Sequence, residues 1–283
     1  MGLRELVARS RVLVEDMVLT SPRLAFRPRL AEGMPVSEYV RGLQDKGYAS
    51  IGSLLSPAEL REIRTQIDAA LSEKRADIAV KWSDKVQYAR VINPLRLHEK
   101  LLALAAHPLA LAVAEAYFRR QPYLADVDLR RVEAVSMESL GPQHVSSSSW
   151  HRDTRGRQLK LMVYLSDVTA KDSNFSLVPG SHRGQHLRKG TYMESRLGDA
   201  EVADLQTLEW YGAAGEAMLF DTNVIHRLRR KAGAAVRDSI TYYYTPGQSL
   251  FALDYPAEAL HHLPEASRVV FSEPGWPLSR LAA

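Results

Sequence analysis

Residues 237–245 read RDSITYYYT, a run of β-branched and aromatic residues that predicts a β-strand. From about residue 128 onward the chain consists of short segments of this kind, separated by Gly, Pro and Asn turn signals. The other candidate strands are residues 129–138, 159–165, 175–178 and 216–220. Several short strands with turns between them favour a sandwich or a jelly roll.

The first third of the chain carries helical patterns instead. Residues 3–18 are amphipathic, and residues 98–118 form a long apolar helical region that a proline interrupts. Residues 57–73 place apolar side chains at helical spacing. Ser56 precedes this segment and Glu59 follows three residues later, which is the pattern of a capping box at a helix start.

A chain of 283 residues, 46% hydrophobic and 25% charged, can bury one sizeable core. We therefore predict one domain over residues 1–283, with a largely helical cover (1–127), a β core (128–250) and a C-terminal tail (251–283). The expected fold class is mainly β with α: a jelly-roll, cupin-like core that N-terminal helices cover.

The composition excludes several kinds of site and partner. The sequence contains no cysteine, so any metal must be held by His, Asp or Glu. The net charge of +4 fits an anionic ligand but is too small to predict nucleic-acid binding. Charges interrupt the apolar residues of the N-terminus, and no run approaches the roughly 20 apolar residues of a membrane span. We expect a cytoplasmic protein without a membrane partner, and the oligomeric state stays open.

Candidate metal ligands lie in SSSSWHRDTRG (residues 146–156). His151 and Asp153 are two residues apart, so in an extended chain they lie on one face. His226 lies 75 residues beyond His151, just after a candidate strand, and can supply a third ligand. Two histidines and one carboxylate form the facial triad of non-haem iron(II) oxygenases, which leaves positions for a bidentate 2-oxo acid and for dioxygen.

Arg237 makes this pattern more specific, because a His-x-Asp tripeptide alone is also consistent with a surface ion pair. Arg237 follows His226 by 11 residues and begins the strand 237–245, with Ser239 on the same face. A guanidinium pairs with a carboxylate through two hydrogen bonds, and a neighbouring hydroxyl can add another. The C5 carboxylate of 2-oxoglutarate requires such a pair of residues.

Further segments have the order and character of a known family. They are GYASIGSLLSPAEL (47–60), WHRD (150–153), LKLMVYLSDVT (159–169) and NFSLVPGSHRG (174–184). Together with His226 and Arg237 they resemble the phytanoyl-CoA hydroxylase (PhyH-like) family of 2-oxoglutarate oxygenases over roughly residues 40–245. The resemblance implies a double-stranded β-helix wrapped by helices, iron bound by His151, Asp153 and His226, and 2-oxoglutarate bound by Arg237.

Two other interpretations use the same residues. His-Arg-Asp is also a protein-kinase signature, but Gln158 stands where an Asn is required, and no glycine-rich phosphate loop or Asp-Phe-Gly occurs. A cupin-like metal-binding protein without oxygenase activity would need the same three ligands. Arg237 and Ser239 argue against it, since a 2-oxo acid co-substrate is what needs that pair.

The expected function is hydroxylation of an unactivated C–H bond in a small metabolite or natural-product intermediate. Iron(II), 2-oxoglutarate and dioxygen take part, and succinate and carbon dioxide are released. Desaturation, epoxidation or cyclisation with the same cofactors stays open. Halogenases that resemble this family carry Gly or Ala in place of the carboxylate ligand, so Asp153 predicts oxygenation. The residues expected near the substrate are Tyr88, Arg90, Trp150, Arg155 and Arg157. If the basic ones face the site, they favour an anionic substrate.

Overall fold

The computed structural model describes residues 34–72, 78, 80–83, 88–133, 148–153, 158–183, 196–246 and 253–271. The predicted helix over residues 3–18 lies outside these ranges, as do Arg155 and Arg157. The α-helices are α1 (Val36–Lys46), α2 (Pro57–Ser72), α3 (Glu99–Ala105), α4 (Pro108–Phe118), α5 (Asp199–Val202) and α6 (Glu265–Arg268). The strands are β1 (Tyr48–Ser53), β2 (Val80–Ser83), β3 (Tyr88–Val91), β4 (Tyr123–Val132), β5 (Leu159–Tyr164), β6 (Asn174–Leu177), β7 (Leu208–Trp210), β8 (Glu216–Asp221), β9 (His226–Arg229) and β10 (Arg237–Thr245).

The strands form two antiparallel sheets. The larger sheet has seven strands in the order β1-β8-β5-β10-β4-β3-β2, and the smaller one has the order β7-β6-β9. Aromatic side chains join their facing surfaces: Tyr164 stacks on Trp210 with ring centroids 4.1 Å apart, and Phe175 lies 4.7 Å from Phe220. Two facing antiparallel sheets with helices on the outside confirm the predicted jelly-roll class.

Strand β10 shows how one segment serves both the helical layer and the interior of the jelly roll. Successive side chains of a strand point to opposite faces. The hydroxyls of Tyr242 and Tyr244 donate to the carbonyls of Leu101 and Ala105 in α3, at 2.8 and 2.9 Å. Tyr243, between them, lines a cavity on the other face. Alternate residues of β10 therefore contact the helices on one face and line the cavity on the other.

The apolar region predicted over residues 98–118 forms two helices, because Pro108 occupies the first turn of α4 and ends the helical hydrogen bonding of α3. By length and composition alone, Glu99–Phe118 would be long and apolar enough to cross a membrane, but 72% of its apolar window is buried inside the protein. Tyr117 in α4 donates a 2.6 Å hydrogen bond to Asp221 at the end of β8. The helices therefore pack on the outer face of the large sheet.

Some strand boundaries differ from those expected. The strand predicted at residues 129–138 begins at Tyr123 and ends at Val132, so it crosses the expected division between cover and core at residues 127 and 128. Strands β2 and β3, in the first third of the chain, also join the large sheet. Each has only four residues, one of them charged, which is too short a segment to be recognised as a strand from periodicity.

Gly47 connects the end of α1 to the interior. Its φ of 80° is the left-handed conformation that closes a helix, and its N–H donates to Leu43 at 3.0 Å. A Cβ at this position would lie 2.2 Å from a methyl group of Val224, on the segment that leads into β9. Glycine is thus required both by the backbone conformation and by the close approach of a neighbouring chain segment.

The capping box expected at the start of α2 is present. The backbone N–H of Ser56 donates to the Glu59 carboxylate at 2.8 Å, and that of Glu59 donates to the Ser56 hydroxyl at 3.3 Å. Replacing Ser56 with alanine should lower the free energy of unfolding by ~1 kcal/mol, because the cap oxygen is lost. Urea denaturation measures the change. Ser72→Ala, at the other end of the same helix, is the control and should cause no comparable loss, whereas equal losses would contradict a capping role.

Candidate metal centre and co-substrate site

Backbone pairing places the two candidate histidine ligands side by side. His151 and His226 form an isolated antiparallel bridge, with N–H···O distances of 3.0 and 2.9 Å. Residues directly opposite each other in such a pair project their side chains to the same face. The two imidazole rings accordingly lie with centroids 4.4 Å apart. Residues separated by 75 positions in the sequence are therefore neighbours because of two backbone hydrogen bonds.

The hydrogen bonds of the two rings fix which nitrogen can bind a metal. Nδ1 of His151 lies 2.7 Å from the carbonyl of Ser149, and Nδ1 of His226 lies 2.8 Å from the carbonyl of Val224. A carbonyl only accepts, so each Nδ1 carries the proton and donates it. Each Nε2 consequently presents a lone pair. Metal-binding histidines are commonly oriented by such a bond from the other ring nitrogen.

Asp153 completes a three-residue group. Its two carboxylate oxygens lie 3.5 Å from Nε2 of His151 and 3.5 Å from Nε2 of His226. The three ligand atoms all lie within 4.8 Å of one another. Two neutral imidazole nitrogens and one carboxylate oxygen converging in this way fit the donor set of a non-haem iron(II) site.

Arg152, between the ligands His151 and Asp153, forms hydrogen bonds to neighbouring backbone segments. Its Nε donates to the carbonyl of Asn223 at 3.0 Å, and it also reaches the carbonyl of Ser181 at 3.4 Å. The Ser181 hydroxyl in turn accepts a 2.8 Å hydrogen bond from the backbone of Ile225. His182 of the same turn contacts the carbonyl of Gln44 through Nε2 at 3.2 Å, away from the metal group. The Pro-Gly-Ser-His turn therefore supports the ligand segments from outside.

The charges in the site favour the protonation states that metal binding requires. Burial opposes ionisation of Asp153, but the Lys160 ammonium holds the pKa of its carboxyl well below the usual range. Burial also opposes the charge on Lys160, yet the Asp153 carboxylate raises the pKa of that ammonium to about 12. Burial lowers the pKa of His226, which keeps its imidazole neutral and able to coordinate.

A cavity of about 370 Å³ opens beside these residues, and Arg237 and Ser239 lie in its wall. Arg237 is 2% exposed, and its contact to the carbonyl of Ser173 is a long 3.4 Å. Its Nε has no hydrogen-bond partner among the described residues. A buried donor without a partner is costly, and it indicates a ligand from outside the chain. A carboxylate of 2-oxoglutarate fits this guanidinium.

The cavity also contains charged residues that the sequence did not single out. Asp128 and Arg130 on β4, and Lys160 on β5, all line it. Asp128 and Arg130 form an ion pair, and Lys160 forms an ion pair with Asp153. Lys160 had one recognisable signal, since it is a single charge within the apolar segment LKLMVYL. The charged positions of β4 are two residues apart and share a face, but its misplaced boundaries concealed this pattern.

Three of the residues expected near a substrate, Tyr88, Arg90 and Trp150, are described by the structure and do not line the cavity. Arg90 supports the cavity wall from outside, with Nε 2.8 Å from Asp128. Tyr88 packs its ring under the guanidinium of Arg130 at 5.0 Å. Neither is among the cavity-lining residues. Trp150 also stands apart, because it packs in a separate apolar cluster with the guanidinium of Arg227 4.2 Å from its ring centre.

Comparison with known proteins identifies a sequence relative and solved structures of similar fold. The chain is 24% identical over 221 residues to the ectoine dioxygenase of Nocardia farcinica (strain IFM 10152), a match that covers 67% of this chain and 71% of the relative. Its fold is similar to that of the non-heme alpha ketoglutarate dependent carbocyclase SnoK from nogalamycin biosynthesis, with a TM-score of 0.59 and 20% identity over 84% of this chain and 94% of the other.

A second solved structure extends the likeness in fold. HygX from Streptomyces hygroscopicus, determined with nickel and 2-oxoglutarate bound, matches with a TM-score of 0.56 and 15% identity over 78% of this chain and 92% of the other. The family model of phytanoyl-CoA dioxygenase (PhyH) matches residues 43–238, which include all three candidate metal ligands and Arg237. The chain therefore belongs to the phytanoyl-CoA dioxygenase family of non-haem iron, 2-oxoglutarate-dependent dioxygenases.

Proposed function

We propose that this dioxygenase hydroxylates an unactivated C–H bond of a small polar molecule. The observation that carries the proposal is the presence, in one cavity, of the three converging ligands and of the buried Arg237 guanidinium. The first group fits iron(II) and the second fits the distal carboxylate of 2-oxoglutarate. A metal-binding protein without oxygenase activity would have no use for the second group.

The residues of the chain have separable roles in this reaction. His151, Asp153 and His226 would hold the metal at the wall of the cavity. Arg237 and Ser239 bind the C5 carboxylate of 2-oxoglutarate and so orient the oxo acid toward the metal. Bound iron supplies the activation of dioxygen that 2-oxoglutarate oxidation and C–H cleavage need. The buried walls of the cavity exclude water from the reacting groups.

The wall on β4 supports a polar substrate. Asp128 lies between Arg90 and Arg130, and Asp126 lies 3.4 Å from Arg90, so both signs of charge are present. The anionic substrate expected from the sequence rested partly on Arg155 and Arg157, outside the described residues. The described wall favours a small molecule with several hydrogen-bonding groups. Among similar proteins, the relative is named for ectoine, and HygX, 15% identical, has been determined with hygromycin B bound. We retain the cytoplasm as the proposed location.

Hydroxylation is tested by a screen of small polar metabolites, followed by turnover in saturating chloride under ¹⁸O₂. The expected product carries one labelled oxygen atom and no chlorine, because Asp153 would supply the carboxylate ligand that the halogenases resembling this family lack. Loss of two hydrogens without oxygen incorporation would replace hydroxylation by desaturation or cyclisation. A chlorinated product would show that Asp153 does not bind the metal.

A further inference from the structure

We propose that Lys160 is a positioning residue of the metal centre, which orients the Asp153 carboxylate and keeps the bound iron in the ferrous state. The inference rests on iron binding by the three ligands described above. It assigns a role to a buried cation that is not one of the three candidate metal ligands.

The position of Lys160 is unusual for a lysine. It is the second residue of β5, in the apolar segment LKLMVY, and is 7% exposed. Its strand neighbours on the two sides are Tyr243 of β10 and Phe220 of β8. A lysine in such surroundings loses the hydration of its ammonium group, and its burial is tolerated only with a close anionic partner.

That partner is the candidate iron ligand. The Lys160 ammonium contacts Oδ2 of Asp153, the oxygen that also lies 3.5 Å from Nε2 of His226. The ring of Tyr243, centred 4.3 Å from the ammonium nitrogen, adds a cation–π contact on another side. The Asp153 carboxylate is thus fixed on one side by the ammonium, while its two oxygens face the Nε2 atoms of His151 and His226.

The other carboxylates near Lys160 are paired with arginines, so Asp153 is its ion-pair partner. Asp128 of β4, which lines the same cavity as Lys160, already pairs with Arg130 and with Arg90. Asp126 faces Arg90 at 3.4 Å. Each nearby carboxylate on β4 therefore has a guanidinium partner. The ammonium charge consequently acts mainly on Asp153 and on whatever this carboxylate binds.

A fixed positive charge beside an anionic ligand affects the two oxidation states of iron unequally. Repulsion grows with the charge of the metal, so the ammonium destabilises iron(III) more than iron(II). The low polarity of a buried site strengthens the effect. Since the dioxygenase works with iron(II) in the presence of oxygen, such a charge would counter accumulation of the ferric form.

The test is a redox titration of the iron-loaded protein without 2-oxoglutarate, after measuring iron content. In Lys160→Met, which keeps the length and removes the charge, the Fe(III)/Fe(II) ratio at a fixed ambient potential should rise about tenfold. This corresponds to a fall of about 59 mV in midpoint potential for one electron. Lys160→Arg should stay close to the unaltered protein. Lys231→Met, which removes another lysine packed on a tyrosine ring, should not change the potential.

Several outcomes would overturn the proposal. An unchanged potential in Lys160→Met would do so, as would equal shifts in the Met and Arg variants. An unchanged potential with weakened 2-oxoglutarate binding would assign the ammonium to the co-substrate. If Lys160→Met does not fold, Lys160→Gln provides the same removal of charge. Failure of the unaltered protein to bind iron would overturn the metal site itself, and iron analysis detects this before any potential is measured.

Discussion

Replacing His226 with alanine is expected to weaken iron(II) binding by about 100-fold or more, since even loss of a residue that only orients a ligand typically costs 10–100-fold. The replacement removes one of three converging donors, the imidazole that Val224 holds with its Nε2 toward Asp153. Formation of succinate from 2-oxoglutarate should fall to background. Anaerobic iron titration, followed by metal analysis of the desalted protein, measures the first effect.

His262→Ala is the matched control, because this histidine is exposed and lies outside the cavity. It should bind iron like the unaltered protein. Circular dichroism should show that His226→Ala remains folded. If His226→Ala retained a full equivalent of tightly bound iron, the metal would have to be held by other residues.

Replacing Arg237 with alanine is expected to raise the dissociation constant of 2-oxoglutarate at least about tenfold, because a hydrogen bond to a charged group contributes ~1.5–3 kcal/mol and 1.4 kcal/mol corresponds to a factor of ten. Arg237 is buried and has an unpartnered Nε within the described structure, so its loss should affect the ligand more than the fold. Calorimetric titration of the iron-loaded protein with 2-oxoglutarate measures the effect.

Two further variants sharpen this experiment. Arg237→Lys keeps the charge but loses the two-pronged geometry, so its affinity should fall between those of alanine and arginine. Arg229→Ala removes an exposed arginine of β9 that pairs with Glu209, and it should leave 2-oxoglutarate binding unchanged. Equal affinities of the Arg237→Ala and unaltered proteins would place the co-substrate elsewhere.

The sequence was informative where chemistry restricts the choice of residue. Few functions require His151, Asp153, His226 and Arg237 together at these spacings, and the structure gathers all four in one cavity. The strand 237–245 was equally clear, because its tyrosines and threonines have strong β-propensity over the whole segment.

The sequence was less informative where a role depends on the partner strand. Arg130 and Asp128 became recognisable as cavity residues only when β4 was paired with β10, which places Arg130 opposite Ser239. Trp150 was expected near a substrate, but it packs in a separate apolar cluster. The alternation of side chains in an extended segment instead sends adjacent residues to opposite sides. The sequence shows which residues of one strand share a face. It does not show which residues of two paired strands lie opposite each other, and that depends on the fold.

Succinate formed by the iron-loaded protein under ¹⁸O₂ provides the most direct test of iron- and 2-oxoglutarate-dependent dioxygenase activity. The measurement needs no knowledge of the substrate if 2-oxoglutarate is consumed slowly in its absence. Oxidative decarboxylation should place one atom of dioxygen in the new carboxylate, so the succinate should carry one ¹⁸O. Labelled product should require iron(II), should not form with magnesium, and should be absent from His226→Ala. Unlabelled succinate, or no succinate with iron(II) bound and metabolites supplied, would contradict the account.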